Sequence, residues 1–261
     1  MVIAATDKLE PDACATQRMQ RLARGPLEVW PLLDSTNAEL LRRGAGLDRT
    51  VLIADAQSAG RGRLGRAWLS PPGANLYLSM LLHPPHGRPF APSLALALGV
   101  AACETLHALG VPQARLKWPN DLIAQGRKLG GILVESANGL GGVVAGIGIN
   151  LRLDAMLVRD IGQPVASVAD FVAPPPRDAL AAAVIAAWNA AVDEFIACGL
   201  DAFLARWQAL DAFAQAPVRV TSGGATFDGI AEGVDEQGRL LLRADGTLGA
   251  FVSAETSLRP A

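Results

Sequence analysis

A short segment rich in glycine and arginine contains the side chains best suited to binding an anion. It consists of Gly60, Arg61, Gly62, Arg63, Leu64, Gly65 and Arg66. Each of its three guanidinium groups can donate paired hydrogen bonds to carboxylate or phosphate oxygens. The intervening glycines let the backbone approach a ligand closely and adopt positive φ angles. We predict that this loop orders around a multiply charged anion; a solvated surface loop is the alternative.

The same loop matches the pattern G-x-G-x-x-G, which binds dinucleotides when it leads from a strand into a helix. Here the context is wrong, because the residues that follow include Pro71, Pro72 and Gly73 and cannot open a helix. No acidic residue stands about twenty positions further on, where a ribose partner is expected. We therefore set the dinucleotide interpretation aside.

Lysine is rare in this chain. Of its 23 basic residues, only Lys8, Lys117 and Lys128 are lysines. A lysine kept against such a bias can mark a site that needs a compact ammonium group, although chance explains the distribution equally well. Lys117 and Lys128 lie within twelve residues of each other. Whether they mark a functional site therefore depends on the other residues of that segment.

The remaining reactive side chains form no obvious catalytic or metal-binding set. Cys14, Cys103 and Cys198 are too widely spaced for a disulfide framework or a zinc site. Cys103 falls within an apolar helical segment and is predicted to be inert core. The three histidines do not form a ligand set either. We predict no metal site built from protein ligands.

Hydrophobic periodicity predicts an α+β fold with a mixed β-sheet flanked by helices. The predicted strands cover residues 27–33, 51–56, 75–82, 114–118, 121–124, 130–136 and 142–151. The predicted helices cover residues 17–23, 37–43, 93–109, 178–198 and 201–213. Most of these strands follow one another through short turns, which favours a mixed or antiparallel sheet.

Near Pro217 the pattern changes to short strands separated by glycine-containing turns. The predicted strands cover residues 218–220, 226–231, 239–243 and 250–252. Strands of this length and spacing predict a small β-barrel. We therefore predict a larger domain of residues 1–215 and a small C-terminal domain of residues 216–261.

Composition excludes several classes of protein. Hydrophobic residues make up 51% of the chain and charged residues 18%, as in globular rather than disordered proteins. The net charge of -2 does not favour nucleic acid or an anionic membrane as a partner. The apolar, uncharged stretch of residues 89–103 is too short to span a bilayer, and the N-terminal residues do not resemble a secretory signal. We predict a cytoplasmic protein without nucleic-acid or membrane partners.

Four segments now combine into a family resemblance. They are Asp34-Ser35-Thr36-Asn37; residues 57–63; Lys117-Trp118-Pro119-Asn120-Asp121 with residues 127–133; and Gly146-Ile147-Gly148-Ile149-Asn150. In this order and spacing they resemble biotin–protein ligases, and the C-terminal segment ending at Arg259 is similar to the family's small last domain. The resemblance implies a catalytic domain related to that of class II aminoacyl-tRNA synthetases.

The resemblance also implies a two-step reaction. Biotin and ATP form biotinyl-5′-AMP, and a specific lysine of a biotin carboxyl carrier protein, such as that of acetyl-CoA carboxylase, then takes the biotinyl group. Mg²⁺ is implied by ATP. Because two anions must meet, catalysis requires positioning and charge stabilisation rather than a protein nucleophile.

Residue roles follow from the resemblance. Lys128 and Arg63 are implied to be catalytic, with the Lys128 ammonium between the biotin carboxylate and the α-phosphate. The implied biotin-binding residues are Ser35, Thr36, Asn37, Gln57, Arg61, Gly62, Arg63, Lys128 and Gly131. The implied ATP- or adenylate-binding residues are Arg63, Arg66, Trp68, Asn120, Lys128 and Asn150.

Several of these residues have purely structural alternatives. Ser35 and Thr36 can cap the helix that follows them. Trp68 can belong to the core, and Asn120 can serve the turn after Pro119. Asn150 can be an ordinary residue at the end of a strand.

The sequence is also compatible with other functions. A lipoate ligase or octanoyltransferase shares the implied fold, but neither needs polar groups for a ureido ring, and an octanoyltransferase also needs a reactive cysteine. A non-catalytic biotin sensor is a second alternative. About thirty residues precede the first segment that resembles the family, too few for a helix-turn-helix module, so we predict a ligase without repressor activity. Its oligomeric state is predicted only as monomer or homodimer.

Overall fold

The computed structural model describes residues 13–44, 46–73, 75–85, 90–137, 142–154, 158–159, 161–253 and 256–260. Most of these residues form one mixed sheet with helices packed on it, and a second sheet begins at Pro217. Val218, Leu240 and Leu258 of the second sheet lie in the same buried apolar cluster as the helices of the larger part. The predicted α+β class is confirmed.

Seven strands form the first sheet: β1 (Leu27–Leu33), β2 (Val51–Gln57), β3 (Asn75–Leu82), β4 (Ala114–Lys117), β5 (Asp121–Ala124), β6 (Arg127–Ala137) and β7 (Gly142–Asn150). Their spatial order is β1-β2-β3-β7-β6-β5-β4. Strands β1 and β2 are parallel, and the other neighbouring pairs are antiparallel. The interior strand β3 is buried on both faces, which its largely apolar sequence predicts.

Five of the described helices pack against this sheet or against each other: α1 (Ala13–Leu22), α2 (Thr36–Arg43), α3 (Leu94–Ala108), α4 (Arg177–Cys198) and α5 (Asp201–Leu210). Helix α3 is apolar on all sides and mostly buried, as a central helix must be. Among the described helices, α4 alone is long and apolar enough to cross a membrane. It packs against α1 and α3 and buries Trp188 and Phe195, which is the behaviour of a core helix.

Helix α2 brings three predicted site residues to the sheet. Ser35 caps the helix, and its Oγ accepts a hydrogen bond from the Ala38 N–H at 3.4 Å. Thr36 and Asn37 follow in the first turn and are buried. The helix ends at Gly44, whose φ of 61° favours glycine. The capping role of Ser35 is therefore real, and it also fixes its two neighbours.

The second sheet contains five antiparallel strands: β8 (Pro217–Ser222), β9 (Ala225–Val234), β10 (Leu240–Ala244), β11 (Thr247–Phe251) and β12 (Thr256–Pro260). Their order is β11-β10-β9-β8-β12, with β11 and β12 at opposite edges. Closure into a barrel therefore stays a prediction. A hydrogen bond of 3.0 Å from Trp118 Nε1 to the Gly238 carbonyl joins this sheet to the first.

Two of the differences from the sequence-based expectation lie beside the cavity described below. The helix predicted to reach residue 213 ends at Leu210, because Asp211 is extended and the Ala212 N–H donates to the carbonyl of Leu116 in β4 at 2.9 Å. Strand β12 was not expected, because its sequence contains a proline and lacks an apolar alternation. Both differences place residues next to the cavity described below.

Candidate active site

A cavity of about 850 Å³ lies over the first sheet and reaches Leu258 and Arg259 of the second. The sequence singled out thirteen site residues, and twelve of them line this one cavity: Ser35, Thr36, Asn37, Gln57, Arg61, Gly62, Arg63, Arg66, Trp68, Asn120, Lys128 and Gly131. Residues up to 96 positions apart in the chain thus share one space.

Asn150 is the predicted site residue that does not line the cavity. It is buried at the end of β7, and its Nδ2 donates to the carbonyls of Ala166 at 3.0 Å and Lys128 at 3.3 Å. Asn150 therefore hydrogen-bonds to the backbone of Lys128 from a position outside the cavity lining. Its role towards the nucleotide stays a prediction.

Small polar groups form a hydrogen-bonded cluster at one part of the cavity. Gln57 Oε1 accepts the Thr36 N–H at 2.9 Å, and Gln57 Nε2 donates to Ser70 Oγ at 2.9 Å. Ser79 Oγ lies 2.7 Å from Thr36 Oγ1 and 2.5 Å from Asn37 Oδ1. These bonds fix the positions of the donors and acceptors before any ligand arrives.

Glycines in β6 and β7 make room for two of the site side chains. A Cβ built on Gly146 would lie 2.0 Å from Asn37 Oδ1, and one built on Gly148 would lie 2.6 Å from the Trp68 ring. A Cβ on Gly131 would meet the same ring at 3.4 Å. Trp68 is therefore seated on the backbone of these two strands, where it forms part of the cavity wall.

Lys128 is held in the cavity wall by its backbone and by its ammonium group. Its N–H donates to the Pro164 carbonyl at 2.9 Å, and its carbonyl accepts from the Ala166 N–H at 2.8 Å. The Nζ atom lies 2.7 Å from Asp121 Oδ1 and 5.3 Å from the centre of the Trp68 ring. Because both charged side chains are about one-fifth exposed, the ammonium is positioned and still accessible to a ligand.

The arginine loop is tied to the rest of the site by its guanidinium groups. Arg61 Nη2 lies 3.3 Å from Glu135 Oε2. Arg63 donates to Asn120 Oδ1 at 3.4 Å and to the backbone carbonyl of Ser253, which precedes β12. Burial lowers the pKa of Arg63 below its ordinary value. The loop therefore bridges the first sheet and the second.

The cavity carries an excess of positive charge. Burial is the main cause that lowers the pKa of Lys117, the nearby Asp121 raises it, and Lys128, Arg259 and Arg66 lower it further. Bringing several cations together in a partly desolvated space is unfavourable unless an anion joins them. The arrangement is suited to a ligand with several negative charges.

The sequence-based prediction missed several polar residues at or beside the cavity, among them Ser79, Glu135 and Asp211. Ser79 and Glu135 each interrupt an apolar strand sequence, which is the signal that was available. Asp211 offered none, because it was expected to be helical. Lys117, by contrast, was visible through the scarcity of lysine.

The pKa of Asp211 shows how strongly its carboxyl is shielded from water at the edge of the cavity. Burial raises the pKa of its carboxyl to about 6, partly offset by the Phe213 N–H that donates to Oδ1. The carboxyl has a higher pKa in the folded protein than in the unfolded chain. The free energy of unfolding is therefore highest below about pH 4, where the carboxyl is protonated in both states, and it falls as the pH rises through about 6. We expect Asp211→Asn to raise the melting temperature more at pH 8 than at pH 5, by about 3 °C. Equal shifts at both pH values would contradict a buried carboxyl.

Comparisons with known proteins agree with this geometry. The model of the biotin/lipoate A/B protein ligase family matches residues 30–154, and that of the biotin protein ligase C-terminal domain matches residues 216–259. The bifunctional ligase/repressor BirA of Escherichia coli is 41% identical over 251 residues, which cover 95% of this chain and 78% of that protein. The chain belongs to the biotin protein ligase family.

Two further relatives extend the biotin protein ligase assignment. The biotin–[acetyl-CoA-carboxylase] ligase of Paracoccus denitrificans is 36% identical over 234 residues, covering 85% of this chain and 96% of that protein. The biotin protein ligase of Aquifex aeolicus, solved in complex with biotin and ATP, superposes with a TM-score of 0.80 at 27% identity. The superposition covers 90% of this chain and 99% of the Aquifex chain. The predicted family, its fold and its enzymatic nature are confirmed.

Proposed function

We propose that this chain joins biotin to ATP and transfers the biotinyl group to a lysine of a biotin carboxyl carrier protein. In the first step a biotin carboxylate oxygen attacks the α-phosphorus, pyrophosphate leaves, and biotinyl-5′-AMP forms. In the second step the neutral amine of the acceptor lysine attacks the acyl carbon, AMP leaves, and a proton is released. The observation that carries the proposal is one cavity lined by a polar cluster, an arginine loop and Lys128.

The polar cluster suits the ureido ring of biotin. Such a ring presents two N–H donors and one carbonyl acceptor, which need small polar partners in an otherwise apolar pocket. We assign these contacts to Ser35, Thr36 and Gln57. Asn37 Nδ2 already has two acceptors within the protein, the Leu133 carbonyl and Glu135, and its Oδ1 accepts from Ser79, whereas Gln57 Nε2 has one acceptor, Ser70. We therefore propose that Asn37 binds biotin chiefly by shaping the pocket.

The cationic part of the cavity suits the reacting anions. Lys128 is proposed to neutralise charge that develops between the biotin carboxylate and the α-phosphate, where a fixed donor accelerates a reaction most. Asp121 holds the ammonium until the ligands arrive. Arg61, Gly62, Arg63 and Gly131 are assigned to biotin and its carboxylate. The nucleotide is assigned to Arg63, Arg66, Trp68, Asn120 and Lys128, with Asn150 acting through the backbone of Lys128.

Magnesium is proposed to arrive with the phosphates of ATP and to be held mainly by phosphate and water oxygens. Across the described part of the chain, no group of three or more His, Cys, Asp or Glu side chains could hold a metal ion. Asp121 is already ion-paired with Lys128. These residues do not build a magnesium site of their own, so no step above depends on one.

Several wider properties belong to the same proposal. Residues 1–215 are proposed to be the catalytic domain and residues 216–261 a C-terminal domain that borders the active site. The acceptor is proposed to be the carrier protein of acetyl-CoA carboxylase, the enzyme in the name of the Paracoccus relative. A cytoplasmic location, a monomeric or dimeric state and the absence of nucleic-acid and membrane partners stay predictions.

Biotin-dependent exchange of labelled pyrophosphate into ATP tests the first step directly. We expect exchange with biotin and none with lipoate or octanoate. Exchange with lipoate or octanoate instead would identify the related ligase activities. Calorimetric binding of biotin without any exchange would point to a sensor and would refute the proposed mechanism.

Arg63→Ala should release the adenylate faster. The substitution removes a cation of the loop and its bonds to Asn120 and Ser253, so the loop closes less firmly over the ligand. We expect dissociation of preformed biotinyl-5′-AMP to accelerate about tenfold, the effect of losing one charge-assisted hydrogen bond. The matched control is Arg219→Ala, which breaks an exposed ion pair with Asp228. If both variants release the adenylate at the wild-type rate, Arg63 is only a surface cation.

A further inference from the structure

Glu135 on β6 connects two parts of the site that lie far apart in the chain. Its Oε2 atom accepts a hydrogen bond from Asn37 Nδ2 at 2.8 Å and lies 3.3 Å from Arg61 Nη2. Asn37 belongs to the polar cluster and Arg61 to the arginine loop. A single carboxylate oxygen therefore contacts both the proposed ring pocket and the proposed anion loop.

Glu135 reaches both partners from outside the cavity. Asn37 and Arg61 line the cavity, whereas Glu135 does not. The Glu135 side chain is only 27% exposed, so its carboxylate is partly shielded from water and its bonds are stronger than those of a free surface pair. Glu135 is thus placed to orient binding residues without touching the ligand itself.

The bond to Glu135 helps to fix the Asn37 amide. Asn37 Nδ2 donates to Glu135 and to the Leu133 carbonyl, so its Oδ1 faces Ser79. Gly146 leaves room for this arrangement, since a Cβ at that position would lie 2.0 Å from Oδ1. In this orientation Asn37 Oδ1 accepts a hydrogen bond from the Ser79 hydroxyl, which holds Ser79 Oγ 2.7 Å from Thr36 Oγ1.

The ion pair with Glu135 also restrains Arg61. A guanidinium group has five N–H donors in a rigid plane, and Glu135 contacts it through Nη2. The opposite edge of the guanidinium remains available to the cavity. Since the loop is rich in glycine, Arg61 without this restraint would sample many positions, and a ligand would have to order it.

We propose that Glu135 is a positioning residue that couples the ring pocket to the arginine loop. It orients Asn37 and Arg61 together. When the biotin ring binds in the pocket, Arg61 is therefore already in position to bind the biotin carboxylate. The inference rests on the proposed function. It predicts an effect on biotin binding that passes through Arg61 and leaves ATP binding unchanged.

Two variants separate the two contacts. Glu135→Gln keeps an acceptor for Asn37 and removes the charge that restrains Arg61, whereas Glu135→Ala removes both. In biotin-dependent pyrophosphate exchange we expect Glu135→Gln to raise the KM for biotin about fivefold and Glu135→Ala to raise it further. The KM for ATP should stay within about twofold of wild type. Glu104→Gln, which removes a carboxylate paired with Arg206 outside the cavity, should change neither constant.

A double-mutant cycle with Arg61→Gln distinguishes positioning from a general structural role. In that background Glu135→Gln should raise the KM for biotin less than about twofold, because its partner is already gone. A full additional effect there, or an unchanged KM in the single variant, would overturn the inference. Melting temperatures identify a variant that fails to fold, and Arg61→Gln then probes the same pair from the other side: a KM for biotin equal to wild type overturns the inference.

The outcome also separates this inference from the proposed function. A folded wild-type protein that shows neither biotin binding by calorimetry nor biotin-dependent exchange would remove both. Normal activity of the wild type together with unaltered constants in Glu135→Gln would remove the coupling role alone.

Discussion

Lys128→Ala should slow biotin-dependent adenylation at least about a hundredfold while the protein remains folded. Removing one fixed donor from a developing charge typically costs two to three orders of magnitude in rate. Here the loss is compounded, because the Asp121 carboxylate would remain in the cavity without its partner and would repel the phosphates. Single-turnover formation of biotinyl-5′-AMP measures the chemical step directly.

Arg127→Ala is the matched control for that experiment. Arg127 is the neighbouring cation on β6, and successive strand residues point to opposite faces. Its guanidinium pairs with Asp170 at 2.6 Å, and it does not line the cavity. We expect adenylation by this variant to stay within about twofold of wild type, as for other surface ion pairs. If Lys128→Ala formed biotinyl-5′-AMP as fast as the Arg127→Ala control, the catalytic role assigned to Lys128 would be refuted.

Gly148→Ala should damage the site almost as severely, through Trp68. The new methyl would lie 2.6 Å from two ring carbons of Trp68 and 2.7 Å from its Nε1. A rigid indole cannot yield by a small rotation, so either the ring leaves the cavity wall or β7 shifts. Because Trp68 lies beside the Lys128 ammonium, we expect kcat/KM for biotin in pyrophosphate exchange to fall about a hundredfold.

Gly99→Ala provides the comparison for the glycine variant. Gly99 lies in the buried helix α3, where an added Cβ would meet Leu116 at an ordinary 3.4 Å. Alanine also favours a helix over glycine, so we expect full activity and unchanged or slightly increased stability. Wild-type kinetics for Gly148→Ala would mean that the Trp68 ring moves freely and takes no part in ligand binding.

Local features of the sequence were sufficient to predict most elements, whereas the residues of the site came mainly from the family resemblance. The bounds of β3 and β5 match their prediction, because apolar runs and flanking turns depend only on neighbouring residues. The start of α2 follows from Ser35 as an N-cap in the same way. Residue type singled out the arginine loop and the resemblance singled out Lys128, and the structure brings them into one cavity.

The arrangement of these parts was decided by the tertiary structure. Strand β12 gains its conformation from pairing with β8, and the extended Asp211 gains its conformation from pairing with Leu116, which no local pattern predicts. Trp68 faces Gly148 only because the loop after β2 folds over β7. Glu135 meets Asn37 and Arg61 across 98 and 74 positions of sequence. Such contacts depend on strand order and register, which arise from packing the whole chain, so the sequence determined the chemistry and the fold determined its geometry.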